Sequence, residues 1–309
     1  MKICFLGTPE FALPSLRMLV EEGYEVAAVF TQPDRRKNRG KKLFAPPVKE
    51  YALERGIPVY QPNKIREESA EDLRGIQPDL LVTAAFGQIL SQELLDIAPL
   101  GCINVHGSLL PKYRGPAPIQ WAIINGETQT GITTMYTERG IDTGDMILKQ
   151  ATDILEGETA GELSLRLADL GAAVLRETLV LIEKGEAPRQ PQDEAQATYF
   201  PMLKKTDGLL DFRCSAREVY NRVRGVSPWP GAYGEIGGET LKIWNVTVDE
   251  SLSGRPGEIL CADCKAGMAV ACGSGGIFVE ELQAPCCKRM DARDYLRGKE
   301  LPGECFECL

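Results

Sequence analysis

Cys102-Ile103-Asn104-Val105-His106 is a short apolar run, and it leads into Gly107-Ser108-Leu109-Leu110-Pro111-Lys112-Tyr113-Arg114-Gly115. The run reads as a strand that ends in a loop studded with proline and glycine. Side chains alternate faces along a strand, so Asn104 and His106 point the same way. A carboxamide beside an imidazole gives two donors to one oxygen, and the imidazole can also move a proton. Further on, Ile141-Asp142-Thr143-Gly144-Asp145 places a carboxylate in a tight turn that opens another strand. Asn104, His106 and Asp142 are thus the residue types needed where a carbonyl becomes an oxyanion while an amine loses a proton. His106 is the only histidine in the chain. A lone histidine is more often a satisfied structural residue, so the reading rests on the whole stretch. Cys102 shares a strand face with Asn104, but no activating partner for a nucleophile is evident.

The elements that must position these residues are legible from periodicity. Lys2–Leu6 reads as a buried strand, Phe11–Glu22 as a helix ended by Gly23, and Glu25–Thr31 as a second strand. A strand–helix–strand opening argues for a parallel sheet with right-handed crossovers. Gly7-Thr8-Pro9 is not a dinucleotide fingerprint. Val48–Arg55 and Ala70–Gly75 read as helical, Ile57–Tyr60 as a short strand, and Pro78–Ala85 as a core strand broken at Phe86-Gly87. In open α/β sheets ligands sit at that carboxyl end. Ala117–Ile124 is expected to be a helix, and Gly131–Tyr136 and Met146–Ala151 strands. Thr159–Gly185 carries leucines at helical spacing and reads as a long helix covering the sheet. Ala187–Thr198 has no periodicity and reads as a linker. Beyond about Leu203 come short alternating segments punctuated by glycine, which suggest a small barrel.

With 309 residues the chain has room for one large or two ordinary domains. Hydrophobic content of 43% and charged content of 26% are globular values. No apolar run approaches the roughly 20 residues that span a bilayer, and no cleavable signal pattern follows Lys2. Cytoplasmic location, no membrane partner and a monomer are the default expectations. The net charge of −9 excludes uniform attraction to nucleic acid, so RNA binding would need a local basic patch. One exists: Arg35, Arg36, Lys37, Arg39, Lys41 and Lys42 crowd together between prolines, with Gly40 among them, in a stretch expected to be irregular. Such a run is either a solvated loop or an arm that contacts phosphates. Of the ten cysteines, Cys261 and Cys264 with Cys305 and Cys308 have zinc-ligand spacing. The second pair sits at a chain end expected to fray, so reduced, unliganded thiols are the expectation and no metal is assigned.

The stretch Ile103–Gly115 with Asp142-Thr143-Gly144-Asp145 resembles the folate-dependent formyltransferases. So do Lys2–Phe11 (KICFLGTPEF), Thr31–Asp34 (TQPD), Phe86–Leu90 and Ser227-Pro228-Trp229-Pro230, which stand in the order found in the branch that acts on an aminoacylated tRNA. The resemblance covers nearly the full chain. It implies an α/β fold, with a Rossmann-like, mostly parallel sheet in a catalytic domain over 1–186, a linker over 187–203 and an OB-like β-barrel that binds tRNA over 204–309. It implies transfer of the formyl group of 10-formyltetrahydrofolate to the α-amino group of charged initiator methionyl-tRNA, through Asn104, His106 and Asp142. Asp142 would either accept the amine proton or hold His106. Folate contacts fall on Ser108, Leu109, Leu110 and Pro111 and on Phe86, Gly87, Ile89 and Leu90. The basic run 35–42 would meet the acceptor end of the tRNA. Arg114 is open between a substrate anion and a structural ion pair.

Three rival readings share much of this. A formyltransferase for a sugar amine or a glycinamide ribonucleotide would keep Asn104, His106 and Asp142 but needs neither the basic loop nor the barrel. A folate-linked hydrolase is a third enzymatic option. A non-catalytic RNA-binding protein would not need the three polar residues at all.

Overall fold

The computed structural model describes residues 1–37 and 42–307, apart from the side chains of Arg36, Lys37 and Lys42. Arg39, Lys41 and Cys308 therefore lie outside the described residues. The chain forms two compact units. One comprises Met1–Pro118, Gln129–Asp153 and Ser164–Pro201; the other comprises Ile119–Thr128, Ile154–Leu163 and Met202–Leu309.

The first unit is built on β1 (Lys2–Gly7), β2 (Glu25–Phe30), β5 (Val59–Tyr60), β6 (Leu80–Ala84), β7 (Cys102–His106), β8 (Gln129–Tyr136) and β9 (Met146–Asp153), with a small ribbon of β3 (Arg35–Lys37) and β4 (Lys42–Phe44). The sheet order is β5-β2-β1-β6-β7-β8-β9. The strands from β5 to β7 are parallel, and β8 and β9 run antiparallel. Ile3–Leu6 and Leu80–Val82 are fully buried, as continuous apolar runs in a parallel sheet should be. Helices Leu13–Glu21, Pro47–Glu54 and Ala70–Ile76 fill the crossovers. The ribbon corrects the expectation for the basic run: Arg35 pairs with Phe44, Arg36 with Leu43 and Lys37 with Lys42, so its flanks are regular antiparallel strands.

The helix Ala160–Lys184 decides which way β7 faces. A Cβ on its Gly171 would lie 2.9 Å from Val105 Cγ1, so the helix backbone rests directly on that face of the strand. Val105 is buried there. Asn104 and His106, on the opposite face, are left for the site. The segment expected as a linker runs along the first unit, where Gln190 and Met146 exchange backbone hydrogen bonds of 3.0 and 2.8 Å.

The second unit carries β10 (Ala232–Ile236), β11 (Glu239–Asp249), β12 (Ile259–Asp263), β13 (Gly267–Ala271), β14 (Gly276–Gln283) and β15 (Met290–Asp291) in one antiparallel sheet. Its path is β10-β11-β14-β13-β12, with β15 beside β14. The chain end ties its two outer strands together. Ile259 N donates to Glu304 O at 3.0 Å, Phe306 N to Gly257 O at 2.8 Å, and Glu307 N to Glu235 O at 2.8 Å. Phe306 is buried and stacks on Phe212 at 4.8 Å. The expectation of a frayed end therefore fails at 304–307, where a buried aromatic and three backbone bonds outweigh the chain entropy. Among the described residues there is no group of three or more side chains placed to hold a metal ion, and no helix long and apolar enough to cross a membrane.

Candidate active site

β6 and β7 lie side by side with Thr83 opposite Asn104. Thr83 Oγ1 donates to Asn104 Oδ1 at 2.9 Å. That bond occupies the amide oxygen and turns the Asn104 NH2 group the other way, where Asp142 Oδ1 lies at 3.5 Å. A donor-bearing amide is thus presented to the site by the strand next door.

His106 is 6% exposed. Its Nε2 lies 2.9 Å from the Tyr113 carbonyl. A carbonyl only accepts, so Nε2 carries a hydrogen whatever the charge on the ring. Nδ1 is left as the nitrogen that can gain or lose a proton, and Asp142 Oδ1 lies 3.7 Å from it. Tyr113 has φ of 60°, a left-handed conformation costly for a non-glycine residue. It is held there by Thr198 Oγ1, which accepts from its backbone N–H at 2.8 Å, and by the ring of Phe200, stacked at 4.9 Å.

Asp142 is a second left-handed residue, with φ of 54°. Its Oδ2 accepts from Gly115 N at 2.8 Å, which fixes the carboxylate and leaves Oδ1 toward Asn104 and His106. The turn is tight enough that a Cβ on Gly144 would meet Tyr136 O at 1.9 Å, and only glycine fits. Gln192 Nε2 donates to the carbonyls of Asp142 and Gly144 at 2.8 and 2.9 Å. Arg114 Nε donates to Gln192 Oε1 at 3.0 Å, and its other nitrogens pair with Glu194 at 3.0 and 2.7 Å. Arg114 is thus a structural ion-pair residue; its hydrogen bond holds the Glu194 carboxyl below the usual range. Burial pushes the Cys102 thiol up to about 12, which leaves it un-ionised near neutrality and a poor nucleophile.

The loop after β6 is pinned at its start. Thr8 Oγ1 and Gln32 Nε2 donate to Phe86 O at 3.0 and 3.3 Å, and Gln88 Oε1 accepts from Ile65 N at 2.7 Å. Phe86 and Leu90 point into the core, while Gly87 and Ile89 are exposed. In the other expected folate segment, Ser108 Oγ is engaged by Lys112 O at 2.7 Å, and Leu110 packs with Met135 and Met146. Leu109 and Pro111 are half-buried. Of the basic run, Arg35 is exposed and reaches Gln32 Oε1 at 3.5 Å. The structure therefore brings Asn104, His106 and Asp142 together beside the carboxyl ends of β6 and β7. Reading the sequence missed Thr83, Gly115, Gln192 and the Tyr113 carbonyl, since backbone groups and polar residues without periodicity leave no pattern.

A mixed sheet with an amide, an imidazole and a carboxylate converging at its strand ends offers the donors and the proton acceptor that acyl or one-carbon transfer requires. The formyl transferase family model matches residues 1–179, and the model of the formyl transferase C-terminal domain matches residues 202–300. A protein of Ruminiclostridium cellulolyticum named methionyl-tRNA formyltransferase is 53% identical over 97% of both chains. One of the same name from Acetivibrio thermocellus is 55% identical, again over 97% of both. A crystal structure of an N-formyltransferase from Helicobacter canadensis, in complex with folinic acid and dTDP-3-aminofucose, shares the fold. Its TM-score is 0.70 at 19% identity, over 92% of this chain and 99% of that one. The chain belongs to the formyl transferase family.

Proposed function

We propose that this chain transfers the formyl group of 10-formyltetrahydrofolate to the α-amino group of methionyl-tRNA, the charged initiator tRNA of translation, in the cytoplasm. The observation that carries it is the convergence of Asn104, His106 and Asp142, each with one atom tied down and another left toward the site. Relatives that share half of the sequence over their whole length bear the name of this activity. The folate relation is supported by the folinic acid in the Helicobacter enzyme and by the exposed Gly87 and Ile89 at the end of β6.

The chemistry follows from the free atoms. The neutral α-amine attacks the formyl carbon, and the carbonyl oxygen becomes an oxyanion. Asn104 Nδ2 donates to that oxygen. His106 Nδ1 is the ring nitrogen left to donate beside it and to pass a proton to the departing folate nitrogen. Asp142 Oδ1 is the carboxylate oxygen left to receive the amine proton, since Gly115 takes the other. The C–N bond to folate then breaks, giving formyl-methionyl-tRNA and tetrahydrofolate.

In this reading 1–186 does the chemistry, 187–203 braces its site through Gln192 and Glu194 as well as joining it to 204–309, and 204–309 binds tRNA together with the basic run. Supporting this, Lys242 and Arg289 lie over the Trp244 ring at 5.5 and 5.2 Å, a cationic and aromatic face suited to RNA. The test is formyl transfer from 10-formyltetrahydrofolate to charged initiator tRNA. Activity on an amino sugar nucleotide with none on the tRNA would overturn the reading in favour of the small-substrate branch.

A further inference from the structure

We infer that Gln192 is a positioning residue for the formyl transfer, setting Asp142 at its working distance from His106 and Asn104. The inference rests on the proposed function for what Asp142 does, and on the structure for how it is held. Asp142 occupies a left-handed backbone conformation, uncommon for a residue other than glycine although aspartate adopts it more readily than most. Two sets of hydrogen bonds hold it there. Gly115 N grips the carboxylate at 2.8 Å, and Gln192 Nε2 bridges the carbonyls of Asp142 and Gly144 at 2.8 and 2.9 Å.

The Gln192 amide is itself oriented. Its oxygen accepts from Arg114 Nε at 3.0 Å, so its NH2 group must face the turn. Arg114 is buried and locked by its fork onto Glu194. One residue along from Arg114 is Gly115, the carboxylate's other anchor, and one residue before it is Tyr113, whose carbonyl holds His106. Gln192 therefore couples the segment that positions the imidazole to the turn that positions the carboxylate. Both the Arg114 guanidinium and the Gln192 amide are needed: one aims the other.

A glutamine is suited to this and a carboxylate is not. Two carbonyls need two N–H donors from one side, and the arginine needs an acceptor from the other. Gln192→Met keeps the length and removes all three bonds. Gln192→Glu keeps the acceptor for Arg114 and loses both donors.

The test uses the full chain and two readouts. The first is single-turnover formyl transfer, with folate affinity measured alongside. The second needs no substrate: His106 is the only histidine, so its imidazole signals in an NMR spectrum report the neighbouring carboxylate without ambiguity. Gln192→Met and Gln192→Glu should each lower the transfer rate about 10- to 100-fold, the cost of an ångström-scale misplacement. Folate affinity should stay within about twofold, because the clamp touches no expected folate contact. The imidazole signals should move in the direction seen for Asp142→Asn. Unmoved signals would overturn the inference even if the rate fell, and so would wild-type rates with moved signals. If Gln192→Met fails to fold, Gln192→Glu carries the same comparison. A wild-type chain inactive on methionyl-tRNA would instead sink the reading of the substrate, while the NMR comparison would still decide the clamp.

Discussion

Around Asp142 in the first unit, polar groups are fixed on both sides: an amide oxygen by Thr83, an imidazole nitrogen by Tyr113, a carboxylate oxygen by Gly115. Around Trp244 in the second unit, Lys242 and Arg289 lie over a half-buried ring, and Arg289 is shared with Glu281. The first arrangement allows one geometry. The second allows many, because a cation near a phosphate gains nearly the same energy over a range of positions. Chemistry on a carbonyl depends on placement to a fraction of an ångström, whereas holding a large anionic partner depends on how many charges face it. Substitutions should therefore be costly singly in the first region and cheap singly in the second.

The largest effects should come from the first region. Asn104→Ala removes an oxyanion donor and should slow single-turnover transfer by about 10²- to 10³-fold, or about 2.7–4 kcal/mol. His106→Ala and Asp142→Asn should fall in the same range, with melting temperatures close to wild type. A variant of either kind that turns over at near wild-type rate would break the contrast at its stronger end.

Intermediate effects belong to the basic run. Arg39→Glu combined with Lys41→Glu should weaken methionyl-tRNA binding and lower the slope of log affinity against log salt by about 1.5, as expected when two phosphates are no longer neutralised. The transfer rate at saturating tRNA should hardly change. A slope equal to wild type would reassign the run to plain solvation. Smaller still, Lys242→Ala and Arg289→Ala should each cost roughly two- to fivefold in tRNA affinity, similarly for any tRNA sequence. A hundredfold loss from either one would show that the second unit also works by fixed geometry.

The same contrast explains what can be read from the sequence. Asn104 and His106 are legible because a strand with period two puts them on one face, and buried apolar runs announce β1, β6 and β7. Asp142 is legible as a carboxylate in a tight turn, but its place beside them only through resemblance, since nothing in a turn's sequence says which strand end it will approach. Gln192 is silent in the sequence and Arg114 ambiguous, for a physical reason. They act across long sequence separations through side-chain bonds, and Gln192 comes from a segment rich in glutamine and proline that has no periodicity. The ribbon formed by β3 and β4 is hidden for another reason: a run of charged residues carries no apolar–polar alternation to mark the strand pairing. Residues 304–307 are ordered against expectation because the buried Phe306 and three backbone bonds outweigh their near-terminal position.

The smallest effect, and the one that sharpens the comparison most, concerns Cys102. It lies at the start of the strand that carries Asn104 and His106, yet burial pushes its thiol from an ordinary value near 9 up to about 12. Cys102→Ala should therefore leave formyl transfer within about twofold of wild type, since a neutral thiol attacks nothing at neutral pH. Its signature should appear in stability instead. The unfolded chain ionises this thiol near pH 9, while the folded chain keeps the proton to about pH 12. Across that window the unfolded state binds fewer protons, so stability falls as pH rises. Cys4 and Cys272, likewise raised to about 12 by burial, add to the decline. Urea midpoints measured between about pH 7 and pH 11 should drop for the wild type and drop less steeply for Cys102→Ala. A tenfold loss of transfer, or an alkaline decline as steep as in the wild type, would mean that the thiol is neither as buried nor as idle as its place on β7 requires.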